Sequence, residues 1–160
     1  MKKREFLPGD PEKAYHALPM FHALVVDDFA QKREQVIEVV EQAHLGVPVV
    51  GLEHAHEALP YISEHAREII LAIFDHTFVG ENRTGLDLIE ALRALNSDAF
   101  IYLFTSHPQK SDEYRSRETK ALARKATGVF STNMKPYNGY DWLYMELEEN
   151  RTKLLAKFGL

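Results

Sequence analysis

Two adjacent carboxylates, Asp27 and Asp28, close the short apolar run Ala23 to Val26. A third, Asp75, closes Ile69 to Phe74, the most apolar run of the chain. Two later runs end in other polar groups, Ala99 to Phe104 in Thr105 and Ser106, and Val129 to Met134 in Lys135. Neighbouring carboxylates repel one another, more strongly away from water, unless a proton or a cation joins them. Three carboxylates suit a hard divalent cation. A hydroxyl and an ammonium beside them suit the negative charge that develops in phosphoryl transfer. Taken alone, Asp27 and Asp28 read equally well as loop residues, one of them capping the next helix, since Asp is a common N-cap. What separates the two readings is whether the elements bring these groups together.

Apolar runs without polar alternation suit strands buried on both faces, as in a parallel sheet. After the acidic pair, Ala30 to Leu45 reads as a helix, with Val36, Ile37, Val40 and Ala43 on one face and Gly46 at the stop. Residues 47–52 read as a strand, and Pro48 makes it an edge strand because proline cannot donate to a ladder. Residues 55–66 read as a helix that Pro60 would break or kink. Residues 76–84 form a polar loop. Thr84 and Asp87 then have capping-box spacing, ahead of an apolar face of Leu86, Ile89 and Leu92. A helix from Ser111 to Thr127 is closed by Gly128, and the last helix carries Tyr140, Leu143, Leu147, Leu154 and Phe158. Five strand–helix repeats predict an α/β fold, a doubly wound five-stranded parallel sheet of flavodoxin-like order 2-1-3-4-5. Right-handed crossovers set the first and third strands side by side at the switch point. Asp27, Asp28 and Asp75 then converge, with Thr105 and Lys135 flanking them.

The chain has 160 residues, enough for one domain with a proper core. Residues 1–20, broken by Pro8, Gly9, Pro11 and Pro19, read as an N-terminal arm, and residues 21–160 as the domain. Within the arm, Asp10 and Pro11 suit the start of a short helix through Leu18. A net charge of -5 and a pI near 5.9 argue against a general nucleic-acid binder. There is no cysteine, which excludes disulfides and thiolate chemistry. No run approaches the roughly 18 apolar residues of a membrane span, and no signal-peptide pattern opens the chain. The expectation is a cytoplasmic protein that binds neither nucleic acid nor membrane. Among the eight histidines, His54, His56 and His65 lie near one another in sequence. Without cysteine or tighter ligand spacing they read as surface histidines rather than a transition-metal cluster. His76 and His107 fall beside the candidate site and read as loop residues.

These pieces together resemble the receiver domain of two-component response regulators, the small chemotaxis-type single-domain receivers in particular. The likeness spans about residues 21–158. It is carried by VVDDF, Glu57 to Leu59, the apolar strand ending in Asp75, GLDLIEALR from Gly85, FTS from Phe104, and Lys135-Pro136. The resemblance implies that Asp75 accepts a phosphoryl group from the histidine of a kinase or phosphotransfer protein. It implies Mg²⁺ held by Asp27, Asp28, Asp75 and the backbone carbonyl of Thr77, with Lys135 and Thr105 stabilising the phosphoryl group. It also implies a signalling module rather than an enzyme. Two other readings compete. One is a non-phosphorylated pseudo-receiver, which would lack one of these groups. The other is an aspartate-nucleophile phosphatase of the haloacid-dehalogenase type, which favours Asp-x-Asp where this chain has Asp27 and Asp28 adjacent.

The chain departs from the family pattern in three places. The loop from Asp75 to Gly85 is about two residues longer than usual, with Val79 where a proline is common. The stretch from Thr105 to Lys135 is also longer. Thr132 stands where many receivers carry a switching Tyr or Phe, so activation is expected to run without a swinging aromatic at that position. The last helix ends near Phe158, which points to a stand-alone receiver that signals through a protein surface. That surface is expected to combine the fourth helix, the fifth strand and the fifth helix, to engage a downstream protein or a second copy of the chain, and to expose Trp142 and Met145.

Overall fold

Five parallel strands lie in the order β2-β1-β3-β4-β5. They are β1 (His22–Val26), β2 (Val49–Leu52), β3 (Ile69–Phe74), β4 (Phe100–Thr105) and β5 (Gly128–Ser131). Five helices connect and close them: α1 (Ala30–Gln42), α2 (Ala55–His65), α3 (Gly85–Leu95), α4 (Asp112–Ala123) and α5 (Gly139–Lys157). The computed structural model describes residues 20–160; the short helix expected through Leu18 lies outside the described residues.

Successive strand residues feed two cores. Leu24, Val26, Ala72 and Phe74 pack with Ile62, Leu88, Ile89 and Leu92 beneath α2 and α3. Ala23, Val25, Ile73 and Tyr102 pack with Val36, Val40, Leu143 and Leu147 beneath α1 and α5. Every residue of β1, β3 and β4 is buried, which is why these strands read as unbroken apolar runs. Pro48 sits just outside β2, which is an edge strand as expected. The capping box is formed: the Asp87 carboxylate accepts the Thr84 N–H at 2.7 Å, and Thr84 Oγ1 accepts the Leu86 N–H at 3.2 Å.

Three boundaries differ from the sequence reading. α2 runs through Pro60 without ending. The N–H that proline lacks would have met the carbonyl of His56, an exposed residue of the first turn that solvent can serve. α4 stops at Ala123. Lys125 adopts φ +64°, and Thr127 then pairs with β4, its N–H donating to Ile101 O at 2.7 Å and its Oγ1 accepting the Ile101 N–H at 2.9 Å. β5 leaves the sheet after Ser131, its last residue paired with Thr105. There the Ser131 hydroxyl donates to the His107 carbonyl and accepts the Asn133 N–H at 3.1 Å, a serine turn that competes with the ladder.

The sheet edge opposite the carboxylates is tied by one amide. Buried Asn96 donates from Nδ2 to the carbonyls of Ala66 and Ile69 at 2.8 and 2.9 Å. Its Oδ1 accepts the N–H groups of Asp98 and Ala99 at 3.0 and 2.9 Å. Asn96→Ala would leave these backbone groups without their partners and should cost about 2–4 kcal/mol. Chemical denaturation checks this; a loss below about 1 kcal/mol would show that solvent replaces the amide.

Candidate functional site

Asp27 follows β1 directly and is buried. Its N–H donates to Leu52 O at 3.1 Å, and its Oδ1 accepts the Phe29 N–H at 2.9 Å. It therefore both turns the chain into α1 and faces the site. Asp28 Oδ2 accepts the Val79 N–H at 2.8 Å, which draws the loop after β3 across the acidic pair. Asp75 continues β3, its N–H donating to Val26 O at 2.9 Å. Carboxylate oxygens of Asp27, Asp28 and Asp75 lie within 4.8 Å of one another, so the convergence expected from the topology is present.

Gly85 lets α3 start against the end of β3. A Cβ there would stand 2.0 Å from Asp75 O, and the Gly85 N–H donates to His76 O at 2.8 Å. Only a residue without a side chain fits this approach.

The cation that meets the carboxylates is Lys32, from the first turn of α1. Its Nζ donates to Asp75 Oδ1 at 2.9 Å and to Phe104 O at 2.8 Å, and it lies 3.2 Å from Asp27 Oδ2. Three acceptors match the three ammonium protons. The side chain is only 4% exposed, and Nζ also stands 5.3 Å from the centre of the Phe104 ring. Lys32 was not anticipated. The available signal is its spacing: it sits four residues before Val36, on the stripe that α1 buries, where a charge needs a partner.

Burial pushes the Asp27 carboxyl up to about 6; Lys32 pulls it down, and Asp75 pushes it up again. One ammonium therefore leaves the cluster short of positive charge. Three carboxylates in this state fit a hard divalent cation.

Thr105 is buried at the end of β4, next to β3. Its Oγ1 accepts from Arg117 Nη1 at 2.9 Å and from the His107 N–H at 3.3 Å. Arg117 Nη2 points to Thr77 Oγ1 at 3.4 Å. Arg117 is the second residue that sequence reasoning missed, and its long polar helix offers no stripe that would single it out. Thr77 itself is exposed and bridges to Thr84. The His76 imidazole is pushed down to about 4 by burial and by the charge of Arg117, so it is neutral at physiological pH.

Lys135 has no bond to the cluster of the kind that Lys32 makes. It is exposed, four positions beyond the end of β5, and among the described residues it forms no hydrogen bond or ion pair with Asp75. The chain leaves the sheet at Ser131, so the strand-end position belongs to Thr132. Thr132 is half-buried, its N–H donating to Thr105 O at 3.0 Å. Trp142 is also only half-buried. Its indole N–H donates to Met134 O at 3.1 Å, and its ring meets Tyr137 edge-on at 5.4 Å. It pins the loop that carries Lys135 instead of standing free, whereas Met145 is exposed.

A second group, His54, His56 and Glu81, also brings potential ligand atoms within 4.8 Å. Glu81 accepts the N–H groups of Ala55 and His56 at 3.1 and 2.8 Å, and His56 Nδ1 lies 2.7 Å from it. Glu81 thus caps α2 from another loop, and the positive end of that helix disfavours a cation there.

No family model matches the chain, and no curated protein matches it. Solved structures do. A response regulator receiver domain protein from Methanospirillum hungatei is 22% identical, with a TM-score of 0.63 over 87% of this chain and 99% of that one. The chain has the receiver-domain fold. A response regulator protein from Burkholderia pseudomallei, solved with a phosphorylated aspartic acid, calcium ion and citrate, is also 22% identical; the match covers 87% of this chain and 73% of that one, with a TM-score of 0.60. The BeF3-activated receiver domain of DrrB, a Thermotoga maritima response regulator, is 16% identical over 86% and 99% of the two chains, with a TM-score of 0.59. The receiver fold accounts for the sheet order and for acidic groups gathered beyond the ends of β1 and β3. Among the described residues, no helix is long and apolar enough to cross a membrane.

Proposed function

We propose that this receiver is a phosphoacceptor: Asp75 takes a phosphoryl group from the histidine of a kinase or phosphotransfer protein and passes the signal on through protein contacts. The observation that carries this reading is the meeting of Asp27, Asp28 and Asp75, with Lys32 bridging two of them. Lys32 holds Asp75 Oδ1, which leaves the other carboxylate oxygen to attack phosphorus. A P–O bond forms, the P–N bond of the phosphohistidine breaks, and its electron pair returns to the imidazole. The product acyl phosphate is labile, as a reversible switch requires. Thr105 and Lys32 flank the new phosphoryl oxygens, and Lys32 takes the stabilising part that the resemblance gives to Lys135.

Asp27, Asp28 and Asp75 would hold Mg²⁺, together with the carbonyl of Thr77. The ion, when bound, offsets repulsion between the carboxylates and the incoming phosphoryl oxygens. Asp27 must lose its proton to act as a ligand. With its carboxyl near 6, Mg²⁺ affinity should rise about tenfold from pH 5 to pH 7 and then level, with about one proton released per ion at the lower pH. Calorimetry in two buffers of different ionisation enthalpy measures both quantities, and affinity flat across this range would remove Asp27 from the ligand set.

The signal would leave through α4, β5 and α5, toward a downstream protein or a second copy, and this reading sets the exchange in the cytoplasm. The exposed position of Lys135 favours a competing pseudo-receiver reading. The Lys32 bridge counts against it, because a cation faces Asp75. Exposure to Mg²⁺ and acetyl phosphate, read by intact mass, tests the reading: a single phosphoryl adduct supports it, and an unmodified protein defeats it.

A further inference from the structure

Arg117 extends from α4 to the same strand ends, yet takes no part in the steps above. Its guanidinium is half-buried and rests on two hydroxyls, Thr105 Oγ1 at 2.9 Å and Thr77 Oγ1 at 3.4 Å. Among the described residues no carboxylate pairs with it, although the charges of Asp75 and, more weakly, of Glu113 on its own helix act on it from beyond ion-pair distance. Thr105 ends the strand beside β3, and Thr77 follows Asp75 by two positions. The guanidinium is thus held beside the acceptor's strand end by two weak neutral partners. Arginine is fully charged at physiological pH, and its planar fork matches the oxygens of a phosphoryl group in a way that a lysine cannot.

We propose that Arg117 is the phosphoryl-sensing residue: a phosphoryl group on Asp75 draws the guanidinium off Thr105 and Thr77 into a two-point contact with its oxygens, and α4 moves with it. This inference rests on the reading of Asp75 as the acceptor. Neutral hydroxyl acceptors are exchanged for charged oxygens, which bind roughly twice as strongly. Thr105 Oγ1 is freed in the same step to donate to the phosphoryl group. Because the arginine belongs to α4, occupancy of the site is transmitted to a helix without any aromatic at position 132.

The test uses beryllium fluoride with Mg²⁺ as the phosphoryl probe, read by fluorine NMR. Amide hydrogen exchange over residues 112–123 is followed in parallel. The wild type should bind the probe and change exchange in α4. Arg117→Ala should bind it about ten- to a hundredfold more weakly and lose the change in α4 even at saturation. Arg117→Lys should retain part of the binding but not the full exchange response, since the charge remains and the fork is gone. Lys120→Ala, a cation on the same helix, should behave as wild type. Far-UV dichroism and thermal melting establish that each variant is folded; should Arg117→Ala not fold, Arg117→Lys decides alone, and a wild-type response in it overturns the proposal. Wild-type affinity and an unchanged α4 response in Arg117→Ala also overturn it while leaving the acceptor reading intact. If the wild type binds no beryllium fluoride and gains no phosphoryl adduct, the acceptor reading itself fails, and the role of Arg117 falls with it.

Discussion

Asp75→Asn will gain no phosphoryl group from acetyl phosphate or from a phosphorylated kinase partner. The substitution keeps the shape of the side chain and an oxygen that can still accept from Lys32, so the fold and the neighbouring carboxylates should persist. What disappears is the anionic nucleophile, and an amide oxygen does not replace it on this timescale. The effect is all-or-none in an intact-mass measurement. Asp27 and Asp28 are the two other carboxylates within reach, and Asp27 spends one oxygen on the Phe29 N–H while the other faces Lys32. Adducts persisting in Asp75→Asn and mapping to either residue would move the acceptor off β3.

The second large effect concerns which lysine matters. Lys32→Met keeps the length and the apolar stem while removing the ammonium that meets Asp75, Asp27 and Phe104 O. Phosphoryl uptake should fall about a hundredfold, the scale on which a preorganised charge at a developing oxyanion is measured. Mg²⁺ should bind more tightly to the same variant, because a competing cation has left the carboxylates. Slower transfer beside tighter metal binding is a signature that misfolding cannot imitate. Lys135→Met should change neither quantity by more than about twofold, since the parent side chain is exposed and, among the described residues, forms no hydrogen bond or ion pair with Asp75. The opposite pattern, uptake lost in Lys135→Met and kept in Lys32→Met, would return the role to Lys135 and require residues 132–138 to refold during transfer.

Much of this architecture can be read from residue order, for identifiable reasons. β1 and β3 are buried on both faces, so their apolar runs have no alternation to confuse them with amphipathic strands. The edge position of β2 follows from one proline. Convergence of Asp27, Asp28 and Asp75 needs only the handedness of the crossovers. The cations are harder to read because they depend on side chains meeting across elements. Lys135 falls at a strand end only if β5 runs through Met134, and the strand stops instead where the Ser131 hydroxyl finds the His107 carbonyl, a contact between residues 24 apart. Lys32 belongs to the buried stripe of α1, but a scan for apolar residues passes over it. Arg117 is invisible for a plainer reason: its hydrogen-bond partners are two hydroxyls distant in sequence, Thr105 at the end of β4 and Thr77 in the loop after β3.

The fully bonded amide of Asn96 gives the two ends of the strands different tolerances. At the end it occupies, each donor and acceptor of one neutral side chain is used on backbone, and replacement can only subtract. At the other end, charges face each other with room for one more, so substitutions there alter occupancy before they alter folding. A saturating library scored separately for cellular abundance and for phosphoryl uptake should therefore split along the strand axis. Positions near Asn96 would fail in abundance, and positions near Asp75 would remain abundant and fail only in uptake.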